Sequence, residues 1–346
     1  RFYMQKYCRG SEVIEKKKIL LVGGCGFIGH NLALYLSKLG HDPVIVDSLS
    51  INNIYSLDNT EILNQKLYKS ILESRLELLK KNNIDLIIQD ARNYNSISTL
   101  YEQIKPNVII HLAAVSHANR SNKDPHTTFD HSLRTLENTL DYAKTKKTHV
   151  IYMSSSMVYG NFETKEVDED TTCKPIGIYG TLKYAGELMV KSYNQVFDLP
   201  YTIIRPSALY GERCVSRRVG QIFIENAIQN LEININGDGE DKLDFTYIED
   251  LVRGISYCCD NEKSQNETFN ITYGNARKIN ELINILRDEF KDIKVNYKEK
   301  EKFTPERGTL KIDKAKKLIG FKANHSIETG YREYISWYKN FWNKIN

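Results

Sequence analysis

Lys18 to Gly29 read KILLVGGCGFIG, a short apolar run that passes into a glycine-rich turn. Gly23, Gly26 and Gly29 are spaced three apart, and residues 27–39 continue with the apolar spacing of a helix. Such a turn places the free N–H groups of a helix amino terminus where they can bind a pyrophosphate. The stretch therefore predicts a first strand–turn–helix unit that holds a nucleotide.

Outward from this unit, strands and helices alternate as far as about residue 205. Strands are predicted at 43–47, 84–89, 107–111, 148–153 and 200–205, and helices at 95–104, about 127–146 and about 178–197. This alternation indicates an α/β fold, a Rossmann-type doubly wound parallel sheet. An additional amphipathic helix within about 60–82 has three possible roles: packing on the sheet edge, which we favour, covering the ligand, or contacting another subunit.

After residue 206 the strict alternation ends. A loop at 207–220 is followed by a helix to about 230, short strands near 232 and 244, and helices near 249, 279, 311 and 327. We expect a smaller α+β substrate-binding lobe over 207–346. The Rossmann-type domain that holds the nucleotide should then comprise 17–206 with return segments near 244–260, preceded by an N-terminal arm at 1–16. A ligand cleft is expected between the two lobes.

Composition excludes several classes of protein. The 346 residues carry a net charge of +4 without a basic stripe, which argues against nucleic acid as a partner. No apolar run reaches the roughly 18 residues of a membrane span, and no signal peptide is apparent, so we expect a cytoplasmic protein with no membrane partner. The six cysteines lack metal-ligand spacing, which predicts free thiols and no metal site.

Two carboxylates bear on whether the dinucleotide is NAD or NADP. Asp47 ends the second strand, about 20 residues beyond the glycine-rich turn, where it can accept from ribose hydroxyls and would repel a 2′-phosphate. Asp90 follows the third strand and is placed to meet the adenine. The predicted cofactor is therefore NAD.

A tyrosine and a lysine one helical turn apart suggest proton-transfer chemistry. Tyr179 and Lys183 are at positions i and i+4 of a predicted helix, so they share a face. A phenol is a poor base at neutral pH, but a neighbouring cation favours the phenolate. Ser155, after the fifth strand, would hydrogen-bond to the same reacting oxygen.

These residues are accompanied by further short motifs. They are His111–Ala114 (HLAA), Ser154–Gly160 (SSSMVYG), Arg205–Pro206, Tyr210–Gly211, Gly237–Gly239 (GDG), Asp244–Asp250 (DFTYIED) and Pro305–Gly308 (PERG). Over about residues 18–342 the chain resembles the extended short-chain dehydrogenase/reductase family, in its nucleotide-sugar epimerase and dehydratase branch. The resemblance implies a tightly held NAD that takes hydride from a sugar carbon, usually C4, while Tyr179 removes the hydroxyl proton.

The predicted site residues fall into three groups. The catalytic group is Ser155, Tyr179 and Lys183. The cofactor group is Gly23, Gly26, Phe27, Ile28, Gly29, Asp47, Ser48, Asp90, Ala91, Leu112, Ala113, Ala114, His131, Ser154, Tyr179, Lys183 and Pro206. The substrate group is Ser116, His117, Arg120, Ser156, Arg217, Arg218 and Arg307.

Departures from the family pattern reduce the number of reactions that this chain is expected to catalyse. Dehydratases carry an Asp-Glu pair after the catalytic serine or threonine, where this chain has Ser156 and Met157, so dehydration is disfavoured. The decarboxylating members usually have a glutamate there, which also argues against decarboxylation. Ala208, Leu243 and His131 replace an Asn, an Arg and an Asn of many members. The set of residues that binds the substrate diphosphate in many members is therefore incomplete in this chain. Arg213, Arg217 and Arg218 either complete it beside the retained Arg307 or are solvated surface.

Three functions remain open at this point. The first is an NAD-dependent nucleotide-sugar epimerase, and the second is a sugar-nucleotide dehydrogenase or reductase, or a decarboxylase. The third is a non-catalytic NAD-binding sensor, which the intact Ser155, Tyr179 and Lys183 disfavour. Helices near 127–146 and 178–197 commonly pair across a two-fold axis in this family, so a homodimer is expected.

Overall fold

The computed structural model describes residues 15–51, 53–57, 64–115, 118–300 and 305–345. Nearly all of the predicted arm at 1–16 lies outside these residues. Up to residue 205 the predicted alternation is present. In chain order the elements are β1 (Lys18–Val22), α1 (Phe27–Lys38), β2 (Asp42–Asp47), α2 (Gln65–Lys81), β3 (Asp85–Ile88), α3 (Tyr94–Ile104), β4 (Val108–His111), α4 (Ala118–Lys123), α5 (Pro125–Phe129), α6 (Thr135–Lys146), β5 (His149–Met153), β6 (Glu166–Val167), α7 (Gly177–Phe197) and β7 (Tyr201–Arg205).

The remainder of the chain has shorter strands and less regular alternation, as the sequence indicates. Its elements are β8 (Leu209–Tyr210), α8 (Val219–Ile228), β9 (Ile233–Asn236), β10 (Lys242–Leu243), β11 (Thr246–Tyr247), α9 (Ile248–Asp260), β12 (Glu267–Asn270), β13 (Arg277–Lys278), α10 (Ile279–Glu289), β14 (Val295–Lys298), β15 (Thr309–Leu310), α11 (Asp313–Ile319) and α12 (Ile327–Ile345).

A seven-stranded parallel sheet forms the centre of the first half. Its strand order is β12-β7-β5-β4-β1-β2-β3. The inner strands are buried throughout, as expected for a parallel sheet with helices on both faces. The predicted Rossmann-type fold is thereby confirmed. Since β1 lies between β2 and β4, the strand order reverses there, and such a switch point opens a crevice at the carboxyl ends of the strands.

The seventh strand, β12, is absent from the sequence-based prediction. The chain leaves the sheet after Arg205 and returns through α9, which packs on α1, and then through β12, which pairs with β7 in the register Glu267↔Thr202 to Asn270↔Arg205. With only four residues, ETFN, this strand shows no apolar run long enough to be recognised. The return to the sheet therefore extends beyond the predicted segment near 244–260.

The second lobe is built from α8, α10 and α12 around an aromatic core. Tyr331, Tyr334 and Tyr338 of α12 are fully buried there. The additional helix α2 joins this same core through Leu67, Tyr68, Ile71 and Leu72. Thus α2 packs on α1 and on the edge strand β3, as we favoured, and it also contacts α12 of the second lobe, which we did not predict.

Two further features can be stated for the described part of the chain. Its helices include none that is both long enough and apolar enough to cross a bilayer. The cysteines that it contains, Cys25, Cys173, Cys214, Cys258 and Cys259, are free thiols.

Candidate functional site

A cleft opens at the carboxyl edge of the sheet, between the switch point and the second lobe. Together with the part that is open to solvent, its empty space is about 960 Å³. Most of the predicted cofactor residues line it. These are Gly23, Gly26, Phe27, Ile28, Gly29, Asp47, Ser48, Asp90, Ala91, Leu112, Ala113, Ala114 and His131. The structure thus brings together residues from the carboxyl ends of four successive strands, β1 to β4, and from two helical segments.

Other lining residues were missed by the sequence analysis. They are Val46, Ile51, Arg75, Gln89, Thr135, Leu209, Val215 and Ser216. For Arg75 a signal exists, because it is the charged member of the apolar face that Ile71, Leu72 and Leu79 form on α2. Val215 and Ser216 come from the loop after β8, whose path the sequence does not indicate.

The glycine-rich turn has the shape that a dinucleotide requires. Gly23 has a φ of +79°, and a Cβ there would lie 2.7 Å from the Ala113 nitrogen. At Gly26, which precedes α1, a Cβ would meet only the Gly23 carbonyl oxygen, at 3.4 Å, so protein packing does not require this glycine. The space instead stays open at the amino terminus of α1, where backbone N–H groups and the helix dipole favour a phosphate.

Asp47 both lines the cleft and supports the turn. Its carboxylate accepts from the Cys25 N–H at 2.9 Å and from the Leu49 N–H at 2.8 Å. Burial raises the pKa of Asp47, while these two hydrogen bonds act in the opposite direction. Each carboxylate oxygen retains acceptor capacity, so the predicted binding of ribose hydroxyls fits this site.

Asp90 lies at the cleft as predicted, but its carboxylate is already engaged. The Arg92 guanidinium binds it with Nη2–Oδ2 at 2.7 Å, and the Arg92 N–H donates to Oδ1 at 2.9 Å. These bonds to Arg92 lower the pKa of Asp90. If Asp90 contacts the adenine, its carboxylate must bind the adenine and the Arg92 guanidinium together. The sequence analysis did not predict the bond to Arg92.

His131 reaches the cleft from a π-helical turn, Asp130–Arg134, between α5 and α6. The predicted single helix near 127–146 is thus interrupted by a wider turn, a feature that often occurs at functional sites. The hydroxyl of Thr135 donates to the His131 carbonyl at 2.9 Å. Burial lowers the pKa of His131, which favours the neutral imidazole.

The predicted catalytic residues follow β5, in the case of Ser155, and occupy the first two turns of α7, in the case of Tyr179 and Lys183; they are not among the residues that line the cleft. Because β4 and β5 are neighbours, Leu112 after β4 and Ser155 after β5 occupy the same edge of the sheet. At Gly180 a Cβ would lie 2.8 Å from the Met157 carbonyl oxygen, so glycine lets the first turn of α7 approach the segment after Ser155. The half-buried Tyr179 is therefore held next to that segment.

Lys183 is buried one turn further along α7. Its Nζ donates to the Met153 carbonyl at 2.7 Å. Burial lowers the pKa of Lys183 to about 8, and the negative charge of Glu187 partly opposes this shift. The ammonium is therefore oriented toward the end of β5 and titrates close to neutral pH.

A buried ion pair supports this end of the sheet. Glu187 Oε2 accepts from Arg205 Nη2 at 2.7 Å, and its Oε1 accepts from the Ser154 hydroxyl at 2.5 Å. Ser154 thus holds Glu187 and does not line the cleft, although we predicted a cofactor contact. Sequence reasoning missed Glu187, yet its position four residues after Lys183 was a usable signal.

Pro206 lies in the same layer, below the cleft. It is buried, and its carbonyl accepts from the Ser156 N–H at 2.9 Å. It is not among the residues that line the cleft. Its predicted contact with the cofactor stays a prediction.

Arg307 approaches the catalytic residues from a distant segment. Its Nη1 donates to the Ser156 hydroxyl at 3.1 Å, and its Nη2 contacts the Met157 sulfur. The side chain as a whole is partly exposed, but burial of the guanidinium lowers the pKa of Arg307 to about 10, an effect that nearby Tyr179 partly offsets. Arg307 and Ser156, both predicted substrate residues, are therefore in contact.

The other predicted substrate residues are more scattered. Arg218 lines the cleft, whereas Arg217 is exposed and does not line it. Arg213 pairs with Glu212 at 2.9 Å and is not among the residues that line the cleft. Arg120 is exposed on α4.

Ser116 and His117 lie outside the described residues. In the ranges that the structure does describe, no three or more His, Cys, Asp or Glu side chains are placed to hold a metal ion.

Comparisons with known proteins agree with this geometry. Residues 19–272 match the model of the NAD dependent epimerase/dehydratase family. The chain is 29% identical to a putative UDP-glucose 4-epimerase of Methanocaldococcus jannaschii, over 93% of this chain and 98% of that protein. It is 26% identical to protein CapI of Staphylococcus aureus, over 94% of this chain and all of CapI.

A solved structure gives the same result. The UDP-glucuronic acid 4-epimerase of Bacillus cereus, in complex with UDP-glucuronic acid and NAD, superposes with a TM-score of 0.82. The sequences are 25% identical, and the match covers 93% of this chain and 99% of that one.

Proposed function

The chain belongs to the NAD dependent epimerase/dehydratase family, and from this premise we propose that it inverts C4 of a UDP-sugar with NAD as its resident cofactor. The relatives and solved structures that support the proposal carry the names of 4-epimerases acting on UDP-glucose or UDP-glucuronic acid. What supports it is that Tyr179 and Lys183 share one face of α7, that Lys183 Nζ donates to the Met153 carbonyl at the end of β5, and that the segment after Ser155 has no acidic side chain.

The cleft provides the cofactor site, with Gly23, Gly26 and Asp47 as the residues that would hold the dinucleotide. When bound, NAD supplies reversible acceptance of hydride from a sugar carbon. Tyr179 removes the proton from the hydroxyl on that carbon and returns it after the sugar has presented its other face. Ser155 donates a hydrogen bond to the same oxygen, and so orients it toward the phenol.

Lys183 lies one turn further along α7, on the same helical face as Tyr179, and we propose that its ammonium acts beside the phenol. The Met153 carbonyl holds this ammonium at 2.7 Å, so its position does not depend on the substrate. We propose that Lys183 acts in its protonated form.

The residues after Ser155 direct the reaction toward inversion. Elimination of a C6 hydroxyl needs an acid and a base beside the sugar, and Ser156 and Met157 supply neither at useful pH. Ser156 is instead hydrogen-bonded to Arg307. This pair offers a cation and a hydroxyl on the substrate side, which suits an anionic diphosphate or a sugar oxygen.

A homodimer is proposed from the surface of α7. Leu188 and Val196 are 48% and 70% exposed and lie eight residues apart, on one face of the helix. Large exposed apolar side chains on one helical face are typical of a surface that another subunit covers. Sedimentation of the purified protein measures this, and a monomeric mass of 40.1 kDa at micromolar concentration would contradict the dimer.

The function is tested with a panel of UDP-glucose, UDP-galactose, UDP-glucuronic acid and UDP-N-acetylglucosamine. Each is incubated with the protein and analysed by NMR, while NADH absorbance is followed in parallel. The proposal predicts a C4 epimer of at least one sugar without accumulation of NADH. Net formation of NADH with an oxidised sugar would instead identify a dehydrogenase.

A further inference from the structure

Arg75 is a buried cation in the additional helix α2. It is 1% exposed and belongs to the face of α2 that also carries Ile71, Leu72 and Leu79. Burying a guanidinium is costly unless hydrogen bonds and opposite charge compensate it. The buried guanidinium of Arg75 therefore needs specific compensating groups.

The guanidinium joins two segments that form opposite sides of the cleft. Nη1 donates to the Cys25 carbonyl of the glycine-rich turn at 3.3 Å. Nε donates to the Arg213 carbonyl at 3.1 Å, and Nη2 donates to the same oxygen. Arg75 thus connects the turn that begins the cofactor site to loop 211–218, which contributes Val215, Ser216 and Arg218 to the cleft.

Loop 211–218 needs such support, because its backbone is partly strained. Arg213 has a φ of +64°, in the left-handed region that side chains other than glycine rarely adopt. The two hydrogen bonds from Arg75 end on the carbonyl of this same residue. They stabilise the conformation that places the following residues at the cleft.

The charge of Arg75 is poorly compensated within the protein. Within the described part of the chain, its hydrogen-bond acceptors are carbonyl oxygens and none is a carboxylate. Burial lowers the pKa of Arg75 to about 10, with Asp47 among the groups that oppose the shift. An anion in the cleft that Arg75 lines would stabilise this cation where it stands.

We propose that Arg75 is a positioning residue that couples the two sides of the cleft, so that binding of the dinucleotide orders loop 211–218 for the second ligand. The negative pyrophosphate stabilises the guanidinium between the two carbonyls. The guanidinium in turn holds the Arg213 backbone. This coupling goes beyond the proposed function and depends only on the dinucleotide site.

A purely structural role for Arg75 can be separated from this one, because α2 has other anchors. The Tyr68 hydroxyl donates to Glu225 Oε2 at 2.7 Å, and Lys66 Nζ donates to the Ile345 carbonyl at 2.9 Å. Tyr68→Phe therefore weakens the docking of α2 without touching the bridge between Cys25 and Arg213. It is the matched control for substitutions of Arg75.

The test is amide hydrogen exchange of the full chain, stripped of cofactor and saturated with NAD. In the wild type and in Tyr68→Phe, NAD should slow exchange by about tenfold in both 23–29 and 211–218. In Arg75→Met, NAD should still protect 23–29 but change exchange in 211–218 by less than about twofold. Arg75→Lys keeps the charge but cannot donate to both carbonyls at once, so it should lose the same protection.

Two results would overturn the proposal. One is undiminished protection of 211–218 by NAD in Arg75→Lys or Arg75→Met, and the other is an equal loss of protection in Tyr68→Phe. Should Arg75→Met fail to fold, Arg75→Lys alone decides. Because NAD is the only ligand used, a failure to epimerise any UDP-sugar would refute the proposed function and leave this result standing.

Discussion

The two halves of the cleft are built in different ways. The cofactor half is formed by backbone close to strand ends, where Gly23 and Gly26 follow β1 and Asp47 ends β2. The substrate half that we propose is instead formed by side chains from distant segments, such as Arg307 and Ser156, which are hydrogen-bonded across 151 residues. A short sequence pattern is therefore enough to predict where the dinucleotide binds. The residues that recognise the second ligand come together only in the tertiary structure.

Removal of the Tyr179 phenol should have the largest effect. Tyr179→Phe keeps the ring but deletes the proposed base, so turnover should fall by at least about 10²-fold. The amount of bound NAD should stay unchanged, because Lys183 and the glycine-rich turn are intact. Steady-state kinetics and cofactor recovery after denaturation measure both quantities.

The control for this variant is Tyr184→Phe, which removes a phenol from the next turn of the same helix. It should retain nearly full turnover. Wild-type turnover in Tyr179→Phe would show that another group is the base.

Arg307 tests the substrate half alone. Arg307→Gln removes a cation beside Ser156, and loss of a charge-assisted hydrogen bond of roughly 1.5–3 kcal/mol should raise KM for the UDP-sugar about 10- to 100-fold. NAD content should be unaffected. Lys311→Gln is the matched control, since Lys311 is an exposed cation four residues away that pairs with Glu166. An unchanged KM in Arg307→Gln would remove Arg307 from the substrate site.

Gly26 tests the cofactor half alone. A Cβ at Gly26 meets little protein but enters the space before α1, so Gly26→Ala should lower NAD affinity by roughly tenfold, or about 1.4 kcal/mol. Its free energy of unfolding should change by no more than about 1 kcal/mol, because the φ of −67° suits alanine. Titration with NAD and urea unfolding measure the two effects. Undiminished affinity would contradict the assigned phosphate position.

The smallest expected effect is on the pH profile. Burial lowers the pKa of Lys183 to about 8, so the ammonium is present below this value and is lost as the pH rises through it. Turnover should therefore fall on the order of fourfold by pH 8.5. Lys183→Arg, which stays protonated, should lose this alkaline limb whatever its absolute rate. A wild-type rate that is constant from pH 7 to pH 9 would contradict the role of Lys183.

How much of the site could be predicted from the sequence differs in the same way between local motifs and long-range contacts. The glycine-rich turn, Asp47 and the Tyr179–Lys183 pair were found from the sequence because each depends on spacing within one element or turn. The position of Arg75 was not found, since a helix face shows that a residue is buried but does not identify the segment it contacts. Asp90 was placed at the cleft correctly, yet its bond to Arg92 was missed although the two are only two residues apart.

The fold shows the same limit. The six central-sheet strands up to residue 205 were located to within one or two residues because continuous apolar runs mark buried parallel strands, whereas the two-residue β6 was missed. Strand β12 was missed, since four residues carry too little pattern and its place beside β7 depends on a return of the chain after a long excursion. The docking of α2 on the second lobe likewise depends on a long-range contact between Tyr68 and Glu225.

The central claim, inversion at C4 by hydride that leaves and returns to the same carbon, has one direct measurement. A UDP-sugar that carries deuterium at C4, for the sugar that proves active, is incubated with the protein in ordinary water, and the product is examined by NMR and mass spectrometry. We predict a C4 epimer that retains the deuterium at C4, with no NADH released. Loss of the deuterium to solvent, or its appearance in free NADH beside an oxidised sugar, would contradict the account.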